Sequence, residues 1–193
     1  MTRTAAYQLL TKYLTNKNLI KHSLAAEAAM RGIYRHLIPE SQQNETDEEK
    51  WGITGLLHDI DYEEAQKAGT VEKHGTLLWI AEKDELPPDI CHGIQSHAFM
   101  YSKIMPESSM DWAITTCDQL TGLITACALV KPDKKLETVT TESVLKKFPQ
   151  KSFAKGADRE MIKHCEEKLG IPLDKFIEIT LTAMQKIHTE LGL

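Results

Sequence analysis

Histidine and aspartate side chains fall on or beside the apolar faces of several predicted helices, and this feature most constrains how the chain can fold. The six residues are His22, His58, Asp59, His74, His97 and Asp118. Imidazole and carboxylate groups are costly to bury unless something satisfies them. The fold must therefore bring these side chains to a shared partner, and a metal ion is the simplest candidate.

The hydrophobic residues recur with a helical period almost throughout the chain, and no segment alternates as strands joined by hairpin turns do. Predicted helices span residues 4–15, 18–38, 48–59, 70–82, 88–98, 108–130, 141–148, 157–169 and 171–191. Asn18 is a candidate cap for the second of these, and Pro88 suits the first turn of the fifth. The sequence predicts an all-α fold, a compact bundle of about seven to nine helices.

The length and composition predict a single domain. The chain has 193 residues, of which 41% are hydrophobic and 26% are charged, and these values are usual for a globular domain with a real core. We expect one domain over residues 1–193, with a core at about 18–130 and C-terminal helices at 141–193 packed on it.

Charge and cysteine usage restrict the partners and the compartment. A formal charge of −5 argues against a general nucleic-acid binder. No apolar run approaches the roughly 20 residues that cross a bilayer, and the N-terminus lacks the apolar stretch of a signal peptide. The four cysteines are widely spaced, with no Cys-x-x-Cys pair, and therefore indicate reduced thiols. We expect a cytoplasmic protein with no membrane partner, and the sequence leaves its oligomeric state open.

Helical wheels place each candidate side chain in or beside an apolar stripe. His22 lies with Ala25, Ala26, Ala29, Ile33 and Leu37; His74 with Val71, Leu77, Leu78 and Ala81; His97 with Ile90, Gly93 and Ile94; and Asp118 beside Ile114, Cys117 and Ile124. The pair His58-Asp59 ends the third predicted helix. A lone histidine on an apolar face is more often a satisfied core residue. The ordered set of six residues therefore indicates a shared site, and no single member does so.

That ordered set carries a resemblance to a known family. The motifs are Lys-His22-Ser followed by alanines, Leu-Leu-His58-Asp59-Ile, Lys-His74-Gly, Ile94-Gln-Ser-His97 and Cys-Asp118-Gln-Leu. In this order they resemble the HD superfamily of metal-dependent phosphohydrolases over about residues 18–125. The last third of the chain looks like small uncharacterised bacterial members of the superfamily and implies no particular substrate.

The resemblance implies one ion held by His22, His58, Asp59 and Asp118. A second ion would bind His74 and His97, with Asp59 bridging the two. Mixed nitrogen and oxygen ligands suit manganese, iron, cobalt, nickel or zinc better than calcium. Ala98 follows His97, where several two-metal relatives have a further ligand, so the second ion is expected to bind weakly or to need substrate.

The expected reaction is hydrolysis of a nucleotide or another small phosphate ester by a metal-activated water. Asp59 and Asp61 are the predicted catalytic residues, with Asp61, Glu63 or Glu64 as proton donor or as partner of a ligand. Some relatives have a glutamate where this chain has Tyr62, so that assignment does not carry over. The lysines that could meet a substrate phosphate are Lys21, Lys73, Lys103 and the 131–135 cluster. Two alternatives stay open, a di-iron oxygenase on the same scaffold and a non-enzymatic, metal-stabilised regulatory module.

Overall fold

The computed structural model describes residues 1–193 and is all-helical, which confirms the predicted all-α bundle. Eight helices have seven residues or more and three are shorter. In chain order they are α1 Arg3–Tyr13, α2 Lys17–Leu37, α3 Glu45–Leu57, α4 Tyr62–Lys67, α5 Pro88–His97, α6 Phe99–Ser102, α7 Ser109–Leu129, α8 Thr141–Lys147, α9 Arg159–Leu169, α10 Leu173–Gln185 and α11 His188–Leu191. No helix is both long enough and apolar enough to span a bilayer.

Helix ends follow their capping residues. Ser108 and Asp111 form a reciprocal capping box at the start of α7, which satisfies backbone donors that a helix start leaves free. The cap of α2 is Asn16 and not Asn18, because the Asn16 side chain accepts a hydrogen bond from the backbone N–H of Asn18. Asn44 caps α3 in the same way, so this helix begins three residues before the predicted start.

The helix predicted over residues 70–82 is wrong. This segment holds a short 3₁₀ turn at Val71–Lys73 and then irregular turns, with positive φ at Gly75 (75°) and Leu77 (57°). Long-range contacts take the backbone N–H groups that a helix would use. Gly75 and Leu77 donate to the Asp61 carboxylate, and Ala81 donates to the Tyr13 hydroxyl. The 171–191 segment also differs, since it is divided between α10 and α11.

Helix α2 lies at the centre of the bundle and packs against α3, α7 and α10. One cluster of 43 buried hydrophobic residues extends from Ala6 in α1 to Leu191 in α11. The C-terminal helices share this cluster, with α9 packed on α7 and α10 on α2. The shared core fixes the positions of α2, α3 and α7 relative to one another, and these helices carry most of the candidate ligands.

A glycine allows α2 and α3 to approach unusually closely. A Cβ atom at Gly55 would lie 2.6 Å from the backbone oxygen of Ala26, closer than packed atoms come, so only glycine fits here. The contact lies between His22 on α2 and His58 at the end of α3. Close backbone packing at this point therefore brings the two imidazoles together.

Candidate metal centre

Four helices and one loop direct the six predicted ligands to a single region. His22 comes from α2, the pair His58-Asp59 directly follows α3, and Asp118 comes from α7. His97 is the last residue of α5 and His74 lies in the loop after the Val71–Lys73 turn. His58 is completely buried, and Asp59 and His97 are nearly so. His22, His58, His97 and Asp118 lie in or directly after helices whose apolar residues pack in the core, whereas His74 follows the exposed Glu72 and Lys73.

The first ligand group comprises His22, His58, Asp59 Oδ2 and Asp118. The Nε2 atoms of His22 and His58 are 3.3 Å apart, and they lie 3.7 and 3.5 Å from Asp59 Oδ2. Asp118 Oδ1 lies 2.8 Å from His22 Nε2 and 3.5 Å from His58 Nε2. Ligand atoms about 2.1 Å from one ion are about 3.0–3.5 Å apart when they are adjacent in its shell. The observed separations, from 2.8 to 3.7 Å, lie within a few tenths of an ångström of this range, so small side-chain shifts allow these atoms to hold a divalent transition metal.

The second ligand group comprises His74, His97 and Asp59 Oδ1. The Nε2 atoms of the two histidines lie 3.8 and 3.6 Å from Asp59 Oδ1. The two oxygens of one carboxylate thus face two separate pairs of imidazoles. Each group places three ligand atoms within 4.8 Å of one another, and Asp118 adds a candidate fourth ligand beside the imidazoles of the first. The distances from the histidines to Asp59 are slightly longer in the second group.

The hydrogen bonds of the imidazole rings favour metal ligation. In His58, His74 and His97 the Nδ1 atom faces a backbone carbonyl, of Gly55, Val71 and Ile94 respectively. A carbonyl only accepts, so Nδ1 carries the hydrogen and Nε2 of the neutral ring presents a lone pair. His97 Nε2 is buried without any hydrogen-bond partner. Such an orphaned nitrogen is costly to bury, and a cation in the second ligand group would satisfy it.

The electrostatics of the first ligand group favour positive charge. Burial lowers the pKa of His58, but the carboxylates of Asp59 and Asp118 outweigh it and raise the value to about 9. Burial likewise raises the pKa of Asp118, yet hydrogen bonds and charge from His22 and His58 hold it well below its usual range. Burial also raises the pKa of Asp59, yet charge from His58 and a hydrogen bond from His97 lower it further. Both carboxylates of this group therefore stay ionised at neutral pH, and a metal ion must displace the His58 proton.

Asp61 holds the loop that carries His74. Its Oδ1 accepts from the N–H of Gly75 at 2.7 Å and its Oδ2 from the N–H of Leu77 at 2.8 Å, and the residue is fully buried. Burial raises the pKa of Asp61, although the two backbone donors act to lower it. These contacts assign Asp61 a positioning role next to the second ligand group. That it also donates a proton stays a prediction.

The acidic residues after Asp61 face elsewhere. Glu63 is buried, and its carboxylate accepts from the backbone N–H groups of Thr15 and Asn16 and from the Thr15 hydroxyl. It therefore holds the start of α2 instead of standing in solvent. Glu64 pairs with Lys67 within α4. The Glu63 carboxylate is therefore not free to act at the centre, and a role for Glu64 stays a prediction.

Two residues that support the ligands were not predicted from the sequence. Gln119 donates from Nε2 to Asp118 Oδ2 at 2.7 Å, and its Oε1 accepts from the backbone N–H of Asp158. Thr121 Oγ1 lies 3.4 Å from His22 Nδ1. Their positions directly after Asp118, on a helix that carries a ligand, were the available signal. Gln119 leaves Oδ1 of Asp118 directed at the imidazoles.

Comparison of the chain with protein-family models, with curated proteins and with solved structures found no match. The side chains of the centre themselves form a cluster that can hold a metal ion.

Proposed function

We propose that this protein is a metal-dependent phosphohydrolase that acts on a nucleotide or another small phosphate ester. The observation that carries the proposal is the Asp59 carboxylate, whose two oxygens face two pairs of imidazole Nε2 atoms. This is an arrangement for one or two divalent ions. The ordered resemblance of the same residues to the HD superfamily supports phosphate chemistry among the reactions that such ions assist.

The cofactor in this proposal is one or two ions of manganese, iron, cobalt, nickel or zinc. When bound, such ions stabilise charge on phosphoryl oxygens and lower the pKa of a water toward neutrality. The donor set of four imidazoles and two carboxylates matches these metals and does not match calcium, which prefers oxygen ligands.

The protein's own residues would position and orient these groups. The carbonyl of Gly55 fixes the ring of His58, and Gln119 fixes the carboxylate of Asp118. Asp61 holds the backbone beside His74. Ligands oriented by such partners keep their geometry during turnover. In phosphoryl transfer the protein contributes mainly by positioning the reacting groups and not by forming a covalent bond itself.

The test is a screen for phosphate release. Purified protein is incubated with manganese, cobalt, nickel or iron and with nucleotides, dinucleotides, sugar phosphates and p-nitrophenyl phosphate. We expect metal-stimulated release of phosphate that is lost in His58→Ala and Asp59→Asn. His36→Ala, a change at an exposed histidine, is the matched control and should retain activity.

Two other results would overturn the proposal. Bound iron with oxygen consumption and no phosphate release would indicate a di-iron oxygenase. A tightly bound metal that raises the melting temperature without any turnover would indicate a regulatory module that the metal stabilises.

A further inference from the structure

Two cavities open beside His22, on either side of Gly122. The first, the Lys21 cavity, has a volume of about 420 Å³ and is lined by residues that include Asn18, Lys21, His22, Gly122, Gly192 and Leu193. The second, the Gln119 cavity, has a volume of about 390 Å³ and includes His22, Asp118, Gln119, Gly122, Ala154 and Ala157. Both volumes are in the range of small-ligand sites, and both cavities reach a ligand of the metal centre.

Gly122 lies in the middle of α7, next to space that no side chain fills. It lies four residues after Asp118, on the same side of the helix. A Cβ atom at this position would meet no atom within 4 Å, so no close packing requires a glycine. Glycine within a helix is destabilising relative to alanine. The position therefore leaves open space next to the metal ligands.

Lys21 is a half-buried cation that forms no ion pair within the chain. Its ammonium makes no ion pair or hydrogen bond with the protein, although the Gly192 turn lies against it: a Cβ at Gly192 would be 2.7 Å from Nζ. Two other candidate lysines are engaged, since Lys103 donates to the Met100 carbonyl and Lys131 to the Thr138 carbonyl, and neither cavity is lined by Lys73, Lys134 or Lys135. A partly desolvated ammonium without an anion is unfavourable, so an anionic ligand is expected here.

We propose that the Lys21 cavity binds the substrate, with the Lys21 ammonium on a phosphate oxygen and the space over Gly122 taken by the group that carries the phosphate. Lys21 is the sole lysine or arginine lining either cavity. One such cation beside a metal centre matches a single phosphate group and not a polyphosphate chain. The substrate class is therefore a phosphomonoester with a compact, uncharged body. This inference rests on the proposed function and names the substrate class for the same site.

The first test replaces Lys21. Manganese-loaded protein is titrated with inorganic phosphate by calorimetry, and KM for p-nitrophenyl phosphate is measured in parallel. We expect Lys21→Gln to weaken phosphate binding by about 10- to 100-fold, the loss expected for one charged hydrogen bond. Metal content should be unchanged and Lys21→Arg should restore part of the affinity. Lys17→Gln, an exposed position one turn earlier on α2, is the control and should stay within about twofold.

The second test fills the space over Gly122. Gly122→Leu should raise KM for p-nitrophenyl phosphate by about tenfold or more, because the side chain occupies the place of the phenyl group, while inorganic phosphate still binds. Gly122→Ala should fold with a melting temperature at or above that of wild type, because alanine favours the helix. It verifies that a side chain at 122 leaves the fold intact.

The outcomes separate this inference from the function on which it rests. If wild type hydrolyses phosphomonoesters but Lys21→Gln behaves as Lys17→Gln does, the cavity assignment is wrong and the phosphohydrolase stands. If wild type turns over no ester yet binds phosphate through Lys21, the binding site stands and hydrolysis does not. Absence of both phosphate binding and hydrolysis in metal-loaded wild type overturns both.

Discussion

The two ligand groups of the metal centre are built on different kinds of backbone. In the first, His22 and Asp118 lie within long helices and His58 directly follows a third, and these helices share one buried core. In the second, His74 lies in an irregular loop and His97 ends α5. Rigid helices fix ligand geometry before a metal arrives, whereas a loop must be ordered around it. We therefore expect a tight first ion and a weaker second one.

The largest effect should come from the residue that the two groups share. Asp59→Asn removes a charged ligand from both, and we expect affinity for both ions to fall by more than about 100-fold, since loss of even a ligand's partner costs about 10- to 100-fold. Manganese titration by calorimetry and elemental analysis measure this loss. His36→Ala is the control. Retention of one ion at wild-type affinity in Asp59→Asn would show that the groups do not share this carboxylate.

Single-ligand variants should separate the two groups. His74→Ala leaves all four ligands of the first group in place, so one ion per chain should remain bound with nearly unchanged affinity. His22→Ala should instead weaken the tighter ion. Stepwise titration of each variant with manganese resolves the two events. Loss of the same ion in both variants would contradict the division into a helical and a loop-borne group.

Asp61→Asn should act on the loop without removing a ligand. The amide can accept only one of the two backbone hydrogen bonds and turns a donor toward the other N–H. We expect the protein to lose about 1–3 kcal/mol of unfolding free energy, the cost of a buried unsatisfied group. The second ion should bind about 10- to 100-fold more weakly and the first one normally. Urea denaturation and metal titration measure the two effects.

The matched control for this variant is Asp84→Asn, at an exposed aspartate of the following turn. It should change neither stability nor metal binding. If Asp61→Asn weakened the first ion as strongly as the second, Asp61 would act on the whole centre and not through the loop.

The difference between the groups also explains what could be predicted from the sequence. Helix α7 was expected at 108–130 and runs over Ser109–Leu129, because its apolar period and its cap are both local signals. Four ligands could be placed on one centre for the same reason, since each belongs to or ends a regular helix in the core. The role of Gln119 could not be predicted, because it depends on a contact with Asp118 that hydrophobic periodicity does not reveal.

The loop that carries His74 could not be predicted in this way. Val71, His74 and Leu77 are spaced as in a helix, but the hydrogen bonds that decide its backbone come from Asp61 and Tyr13, which lie 14 and 68 residues away in the chain. Tertiary contacts override local pattern when they satisfy the backbone donors better. The helical wheel and the family resemblance both predict His74 at the centre, where it lies, although the helix on which the wheel depends does not form.

The smallest effect should come from the side chain that distinguishes the loop from the predicted helix. On a helix Leu77 and Leu78 would both belong to the apolar face beside His74. In the structure Leu77 is 1% exposed and Leu78 is 61% exposed. Leu78→Ala should therefore change the unfolding free energy by less than about 0.5 kcal/mol, whereas Leu77→Ala, the matched control, should cost about 2–5 kcal/mol through the cavity it leaves. Urea denaturation of both variants measures the difference. Equal losses of unfolding free energy in the two variants would support a helix over this segment. They would also remove the structural reason to expect a weaker second ion.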